Sequence, residues 1–199
     1  MSVLINKCGN KAFISFAGLR GGSPVFEFKK FFSNQNVSTV FVKDDQLSWY
    51  HAGVPGVGSC IDTMVVGLKK IIKDLGASDV TTVGCSMGGY AALLFGNLLG
   101  VKSIAFAPQT FIDEENRAKF GDCRWKQAIE RIQNTYEDKY FDILPYVDSN
   151  SQLYYGEGCE IDKEHCRRTG GVLHEKPGAH GFVKGLRDSG ELREVLNDS

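Results

Sequence analysis

Apolar residues along this chain fall into two alternating patterns. Short, nearly continuous runs occupy residues 12–17, 37–42, 80–85, 102–107, 151–155 and 172–176. Runs of that length and β-branched character are the kind a parallel sheet buries on both faces. Between them, apolar positions recur at helical spacing. Ile61, Val65, Leu68, Ile71, Ile72 and Leu75 lie on one helix face, stopped by Gly76. A small-residue helix is expected from Met87 to Leu99, closed by Gly100, a short amphipathic one over 26–32, and a last one over 182–196. Strands alternating with helices predict an α/β fold: a mostly parallel, twisted sheet with helices on both faces. Residues 109–145 break the alternation. Phe120, Trp125, Ile129, Ile132, Tyr136, Tyr140 and Phe141 read there as one or two helices over the sheet edge, either a small cap or a plain connecting pair.

Composition narrows this little. The 199 residues carry a net charge of −1, so neither nucleic acid nor an anionic membrane is an expected partner. No repeat or linker divides the chain, which reads as one domain over 1–199. The N-terminal residues lack a signal-peptide core, and no run approaches membrane-spanning length, giving a cytoplasmic expectation. The six cysteines are scattered without a Cys-x-x-Cys pair, the pattern of thiols rather than a disulfide framework. Cys159, Asp162, His165 and Cys166 lack a second ligand pair at zinc-like spacing, so no metal and no organic cofactor is expected.

The chemistry concentrates at Gly84-Cys85-Ser86-Met87-Gly88. The pattern Gly-x-Ser-x-Gly between a buried-type strand and a helix is a nucleophile elbow, a tight turn that lifts a serine hydroxyl above the sheet edge. A phosphate-binding loop would need a Gly-Lys-Ser/Thr ending, which is absent. A serine hydroxyl needs a base, and the base an orienting carboxylate. In this topology the chain order is serine, acid, histidine. Of four histidines, His51 precedes the serine, His174 lies inside the last strand, and His165 falls in a short helix starting near 162. His180, in the Gly-Ala-His-Gly loop after the last strand, is favoured over His165. The acid is expected after the strand at 151–155, where Glu157, Glu160 and Asp162 lie. Asp162 is preferred, with helix capping as its plain alternative. Glu157 and Asp113 stay open. Met87 and Leu19 are the expected oxyanion amides, with Gly18 allowing close approach. Trp49 and Tyr50 are the expected substrate-binding aromatics, and Trp125 and Tyr136 have the same stacking chemistry, although core packing explains such rings as well. Asp44, Asp45 and His51 follow a strand near the site rim and read as solvated loop groups before substrate binders.

These residues resemble the α/β-hydrolase superfamily over 12–196. Within it, the chain is similar to a group of small bacterial and phage-type hydrolase-like proteins, some linked to surface-polysaccharide gene sets. The resemblance rests on Phe16-Ala17-Gly18-Leu19, Trp49-Tyr50 with Gly53, the run Gly84 to Ala92, Pro108-Gln109, Tyr154-Tyr155-Gly156 with Asp162 and His165, and Gly178-Ala179-His180 followed by Ser189-Gly190-Glu191-Leu192. It implies Ser86 as nucleophile, His180 as base and an acid after the penultimate strand. Two positions depart from the pattern: the His-Gly common in the oxyanion loop is Ala17-Gly18, and Cys159 stands where many relatives carry the acid.

The expected function is a serine hydrolase, esterase or thioesterase-like, acting through an acyl-enzyme on a small ester or an acylated, glycan-linked substrate. The alternatives are an acyltransferase on a polysaccharide precursor and a non-catalytic binding protein of the same fold.

Overall fold

The computed structural model describes residues 1–20 and 23–197. In chain order the strands are β1 (Val3–Asn6), β2 (Lys11–Phe16), β3 (Leu19–Arg20), β4 (Ser23–Pro24), β5 (Ser38–Val42), β6 (Asp79–Cys85), β7 (Lys102–Phe106), β8 (Gln152–Gly156) and β9 (Val172–Lys176). The helices are α1 (Lys29–Phe32), α2 (Ile61–Leu75), α3 (Met87–Leu99), α4 (Glu114–Phe120), α5 (Lys126–Gln133), α6 (Glu160–Arg167), α7 (Val183–Ser189) and α8 (Glu191–Asn197). Among the described residues, seven strands form one sheet in the order β1-β5-β2-β6-β7-β8-β9. Within it every pairing is parallel except β1 against β5, and β3 and β4 form a separate antiparallel pair.

Strand alternation sorts the core into two layers. Ala12, Ile14 and Phe16 of β2 face a layer built with α2 and α3, including Met64, Leu68, Tyr90 and Phe95. Phe13 of β2, Phe41 of β5 and Phe106 of β7 face the other, with Phe32 of α1, Val183 and Leu186 of α7, and Leu192 and Leu196 of α8. The 109–145 segment joins the first layer through Ile112, Ile129, Ile132, Tyr140, Phe141 and Ile143. Arg168 also fastens it to the end of α6 by a fork on Asp142, both bonds 2.7 Å.

Several expected boundaries shift. β1 escapes the pattern because its four residues are half-buried or exposed at the sheet edge. The helix expected over 26–32 shrinks to α1, because Phe26 and Phe28 pack individually against Phe41 and Phe106. The final helix is two, broken at Gly190, which adopts φ 88. Gly21 and Gly22, the end of the flexible loop expected after β2, lie outside the described residues.

The loop after β5 is held from inside rather than solvated. Asp44 is 1% exposed, and its carboxylate accepts from the backbone N–H groups of Gln46, Ser48 and Tyr50 and from the Ser48 hydroxyl. That corrects the reading of Asp44 as a solvated charge. Asp45 is exposed and pairs with Lys43 and the Ser2 hydroxyl.

His51 is also buried. Its Nε2 lies 3.1 Å from the Tyr90 hydroxyl, which donates to the Tyr140 carbonyl. The hydroxyl proton is thus committed, and His51 Nε2–H is the donor. Burial pushes this imidazole down to about 4. Between pH 6.5 and 4 the unfolded chain therefore binds a proton that the folded chain refuses. Stability is full above pH 6.5 and falls as pH drops through that window, by about 3 kcal/mol from this group. A melting series from pH 8 to 4.5 is expected to descend below pH 6.5. His51→Gln, which keeps an N–H for Tyr90, flattens that descent; an unchanged slope in the variant contradicts it.

Candidate active site

The parallel register brings several strand ends to one edge. Phe16 pairs with Gly84, Gly84 with Ala105, Phe106 with Tyr154 and Tyr154 with His174. The loops after β2, β6, β7, β8 and β9 therefore leave the sheet side by side, where α/β sheets hold ligands.

Ser86 forms the turn from β6 into α3. Its backbone adopts φ 55, ψ −118, outside the regions L-residues favour. Such a conformation costs about 1–3 kcal/mol. The surroundings enforce it: Ser86 N–H donates to Phe106 O, and Ser86 O accepts from Tyr90 N–H. The close approach explains the flanking glycines. A Cβ on Gly84 would strike the Gly88 carbonyl, and one on Gly88 would strike the Phe16 carbonyl. A Cβ on Gly18 would strike the Cys85 carbonyl. The loop after β2 is thus pressed against the first turn of α3. Met87, fully buried, begins that helix, and Leu19 follows Gly18 as the first residue of β3.

The loops after β8 and β9 are tied together before either presents a side chain. Glu157 N–H donates to Lys176 O and Gly158 N–H to Gly178 O. Cys159 caps α6, which puts Asp162 in its first turn, on the same face as Cys159 three residues earlier. The loop holding His180 meets that face. His180 Nδ1 lies 2.7 Å from Asp162 Oδ2. The carboxylate is 0% exposed and the imidazole 38%. Burial raises Asp162, but hydrogen bonds from His180, Arg124 and the Cys159 thiol outweigh it and hold the carboxyl below its ordinary range. The Cys159 thiol is itself pushed up by burial beside this carboxylate.

The other open acids lie elsewhere. Glu157 is exposed. Asp113 caps α4, accepting from Asn116 N–H at 2.8 Å. Asp162 does not serve as the cap of α6, since that position is Cys159.

Of the remaining histidines, His174 bonds Gln152 and stacks on Tyr154. His165 is fully buried. Its Nδ1 accepts from the Thr110 backbone N–H at 2.9 Å, which fixes the remaining proton on Nε2. That N–H meets Asp122 Oδ2 at 2.9 Å. Burial pushes His165 below its ordinary value, so it is a neutral structural imidazole. Cys166, next to His165 in α6, is buried with its thiol pushed far up by burial.

Trp49 and Tyr50 are both 0% exposed. Trp49 Nε1 donates to Gln109 Oε1, and the Tyr50 hydroxyl donates to Ala17 O. Their expected role as substrate-binding surfaces is therefore corrected: the Asp44 turn carries them inward, at φ 51 and φ 67, to brace the loop that ends in Gly18. Trp125 is 43% exposed, while Tyr136 packs near the His51 ring.

Sequence reasoning missed Asp122 and Arg124. Arg124 Nε and Nη2 grip Asp122, each at 2.9 Å, and Nη1 reaches Asp162 Oδ1 at 2.7 Å. Nothing in the local pattern of residues 109–145 signals that a guanidinium there meets a carboxylate 38 residues later.

Sheet order, helices on both faces and the strained serine turn define the α/β-hydrolase fold. The chain belongs to UPF0227, an uncharacterised protein family, whose model matches residues 42–154. No curated protein matches it. Among solved structures, the capsule O-acetyltransferase of Neisseria meningitidis serogroup A is similar at TM-score 0.74 and 15% identity, over 98% of this chain and 90% of that one. An esterase from Exiguobacterium antarcticum matches at TM-score 0.58 and 15% identity, over 98% and 93%. A thermostable carboxylesterase from a metagenomic library matches at TM-score 0.59 and 15% identity, over 98% and 80%. These neighbours include ester-cleaving and acyl-transferring enzymes, and what this chain shares with them is the fold. Among the described residues no helix is long and apolar enough to cross a membrane.

Proposed function

We propose that this protein is a serine hydrolase that works through an acyl-enzyme, with Ser86 as nucleophile, His180 as base and Asp162 as the orienting acid. The observation that carries this reading is the backbone of Ser86, held at φ 55, ψ −118 between a buried strand and a helix N-terminus. A fold retains such strain where the turn itself has work to do. The Asp162–His180 bond at 2.7 Å supplies the second half.

Ser86 Oγ attacks the substrate carbonyl carbon as His180 Nε2 takes its proton. The new oxyanion is held by the backbone N–H groups of Met87 and Leu19, helped by the positive end of α3. Collapse breaks the bond to the leaving group, which departs with the proton returned by His180. Water, activated in the same way, then releases the acid and restores Ser86. Asp162 fixes the Nδ1–H tautomer, so that Nε2 has a free lone pair for the serine proton. No metal or cofactor enters these steps.

The substrate class is a small ester, thioester or acylated sugar. Transfer to a sugar hydroxyl is the second reading, favoured by the likeness to a capsule O-acetyltransferase over nearly the whole of both chains. Adding a hydroxyl acceptor to the assay and analysing products separates transfer from hydrolysis.

The test is covalent labelling. An alkyl fluorophosphonate should add one equivalent to the native protein, with the mass shift on the peptide containing Ser86. His180→Ala should slow labelling by at least about a hundredfold. A native protein that stays unlabelled, or labels elsewhere, overturns the reading.

A further inference from the structure

We propose that Arg124 is a positioning residue that sets the proton affinity of His180 through the far oxygen of Asp162. The proposal rests on the reading of His180 as the base.

The geometry is a continuous chain of charge. His180 Nδ1 meets Asp162 Oδ2, and Arg124 Nη1 meets Asp162 Oδ1. The rest of the guanidinium grips Asp122, whose Oδ2 also accepts from the neutral His165. Both carboxylates are 0% exposed, and Arg124 is 23% exposed. One cation therefore serves two buried anions. Among the described residues, the groups acting on Asp162 besides His180 are Cys159 at the cap of α6, the buried Cys166 thiol of the same helix, and Arg124 from the loop before α5. Behind Arg124 stand Asp122 from the loop after α4, His165 from α6, and Arg117 of α4, whose Nη2 bonds the Arg124 carbonyl.

Arg124 is also fixed in place. Its backbone N–H and Nε both bond Asp122 Oδ1. Trp125 follows at φ 53 and opens α5. For folding alone, the fork on Asp122 would suffice to pair this guanidinium. Placing Nη1 on Asp162 adds something else. It draws charge away from the oxygen that stabilises a protonated His180, and it sets a positive charge near that imidazolium. Both effects favour the neutral imidazole, the form that can accept the serine proton. Asp122 opposes them by partly neutralising the guanidinium.

This gives shifts of opposite sign. In Arg124→Gln, Asp162 acts on His180 undiluted, so the midpoint of the His180 imidazole titration moves up by about one pH unit. The acid limb of the pH–rate profile moves with it. The variant loses roughly tenfold in rate at pH 6 and recovers much of it at pH 9. In Asp122→Asn the single amide oxygen stays on the Arg124 backbone N–H and Nε at the expense of the His165 bond, the guanidinium is less neutralised, and the midpoint moves down. Arg124→Lys keeps the charge and stays near the native midpoint.

The experiment is an NMR titration of ring-labelled protein, with the His180 signal assigned from His180→Asn, run beside pH–rate profiles and melting curves. Opposite shifts in Arg124→Gln and Asp122→Asn support the proposal, because loss of packing would weaken both variants evenly across pH. Coincident midpoints in native, Asp122→Asn and Arg124→Gln overturn it; if Arg124→Gln does not fold, the native midpoint in Asp122→Asn overturns it alone. Full esterase activity in His180→Ala would instead remove the reading of His180 as base. The ring titration needs no turnover, so the two failures are told apart.

Discussion

Ser86→Ala is expected to lower hydrolysis of short p-nitrophenyl esters by at least about ten-thousandfold and to leave the melting temperature within about 2 °C of native. Removing the nucleophile of a triad costs this much because the acid and base have nothing else to activate. The small stability change follows from local geometry. The Ser86 hydroxyl makes no cap bond to α3, so its loss strips no helix N–H of a partner. Alanine keeps a Cβ, so the strain of φ 55 persists. Ser86→Gly removes that strain and is expected to be as inactive as Ser86→Ala while melting several degrees higher. This pairing of a dead enzyme with a more stable fold is what a turn built for a reacting hydroxyl predicts. Activity in Ser86→Ala within tenfold of native would show that another group performs the chemistry.

The architecture was readable because its physics is local. The boundaries of α2 and α3 follow from apolar spacing and from Gly76 and Gly100, which end those helices at φ 70. The buried strands announce themselves because both faces are covered, and the order of motifs along the chain narrows which loops meet at the sheet edge. What stayed hidden depends on contacts between distant residues. Trp49 and Tyr50 have the composition of a sugar platform, yet they point inward because buried Asp44 gathers three backbone N–H groups into a turn. An aspartate two residues past a strand carries no mark that separates this role from an exposed one. β1 has too little burial to leave a pattern. Arg124 lies in the stretch whose spacing was least regular, and its partner Asp162 comes from another element altogether.

Asp162→Asn is expected to cost about ten-thousandfold in esterase rate, the loss found when a triad carboxylate becomes an amide. The reason here is specific. Asp162 spends one oxygen on Arg124 and the other on His180. Asparagine has a single acceptor oxygen. Arg124 can only donate, so that oxygen turns toward the guanidinium and the NH2 faces His180 Nδ1. Nδ1 must then accept, the ring proton shifts to Nε2, and the atom that should receive the serine proton already holds one. Two controls test whether the effect belongs to this carboxylate. Glu157→Gln alters an exposed side chain, and Asp113→Asn replaces one good helix cap with another; each should stay within about twofold of native. If Asp162→Asn keeps a tenth or more of the native rate, or if either control falls as far, the acid has been misassigned. The competition between guanidinium and imidazole also predicts epistasis. In the double variant Asp162→Asn, Arg124→Gln, the asparagine oxygen is free to turn back to His180, and part of the lost rate should return, although each change alone is harmful.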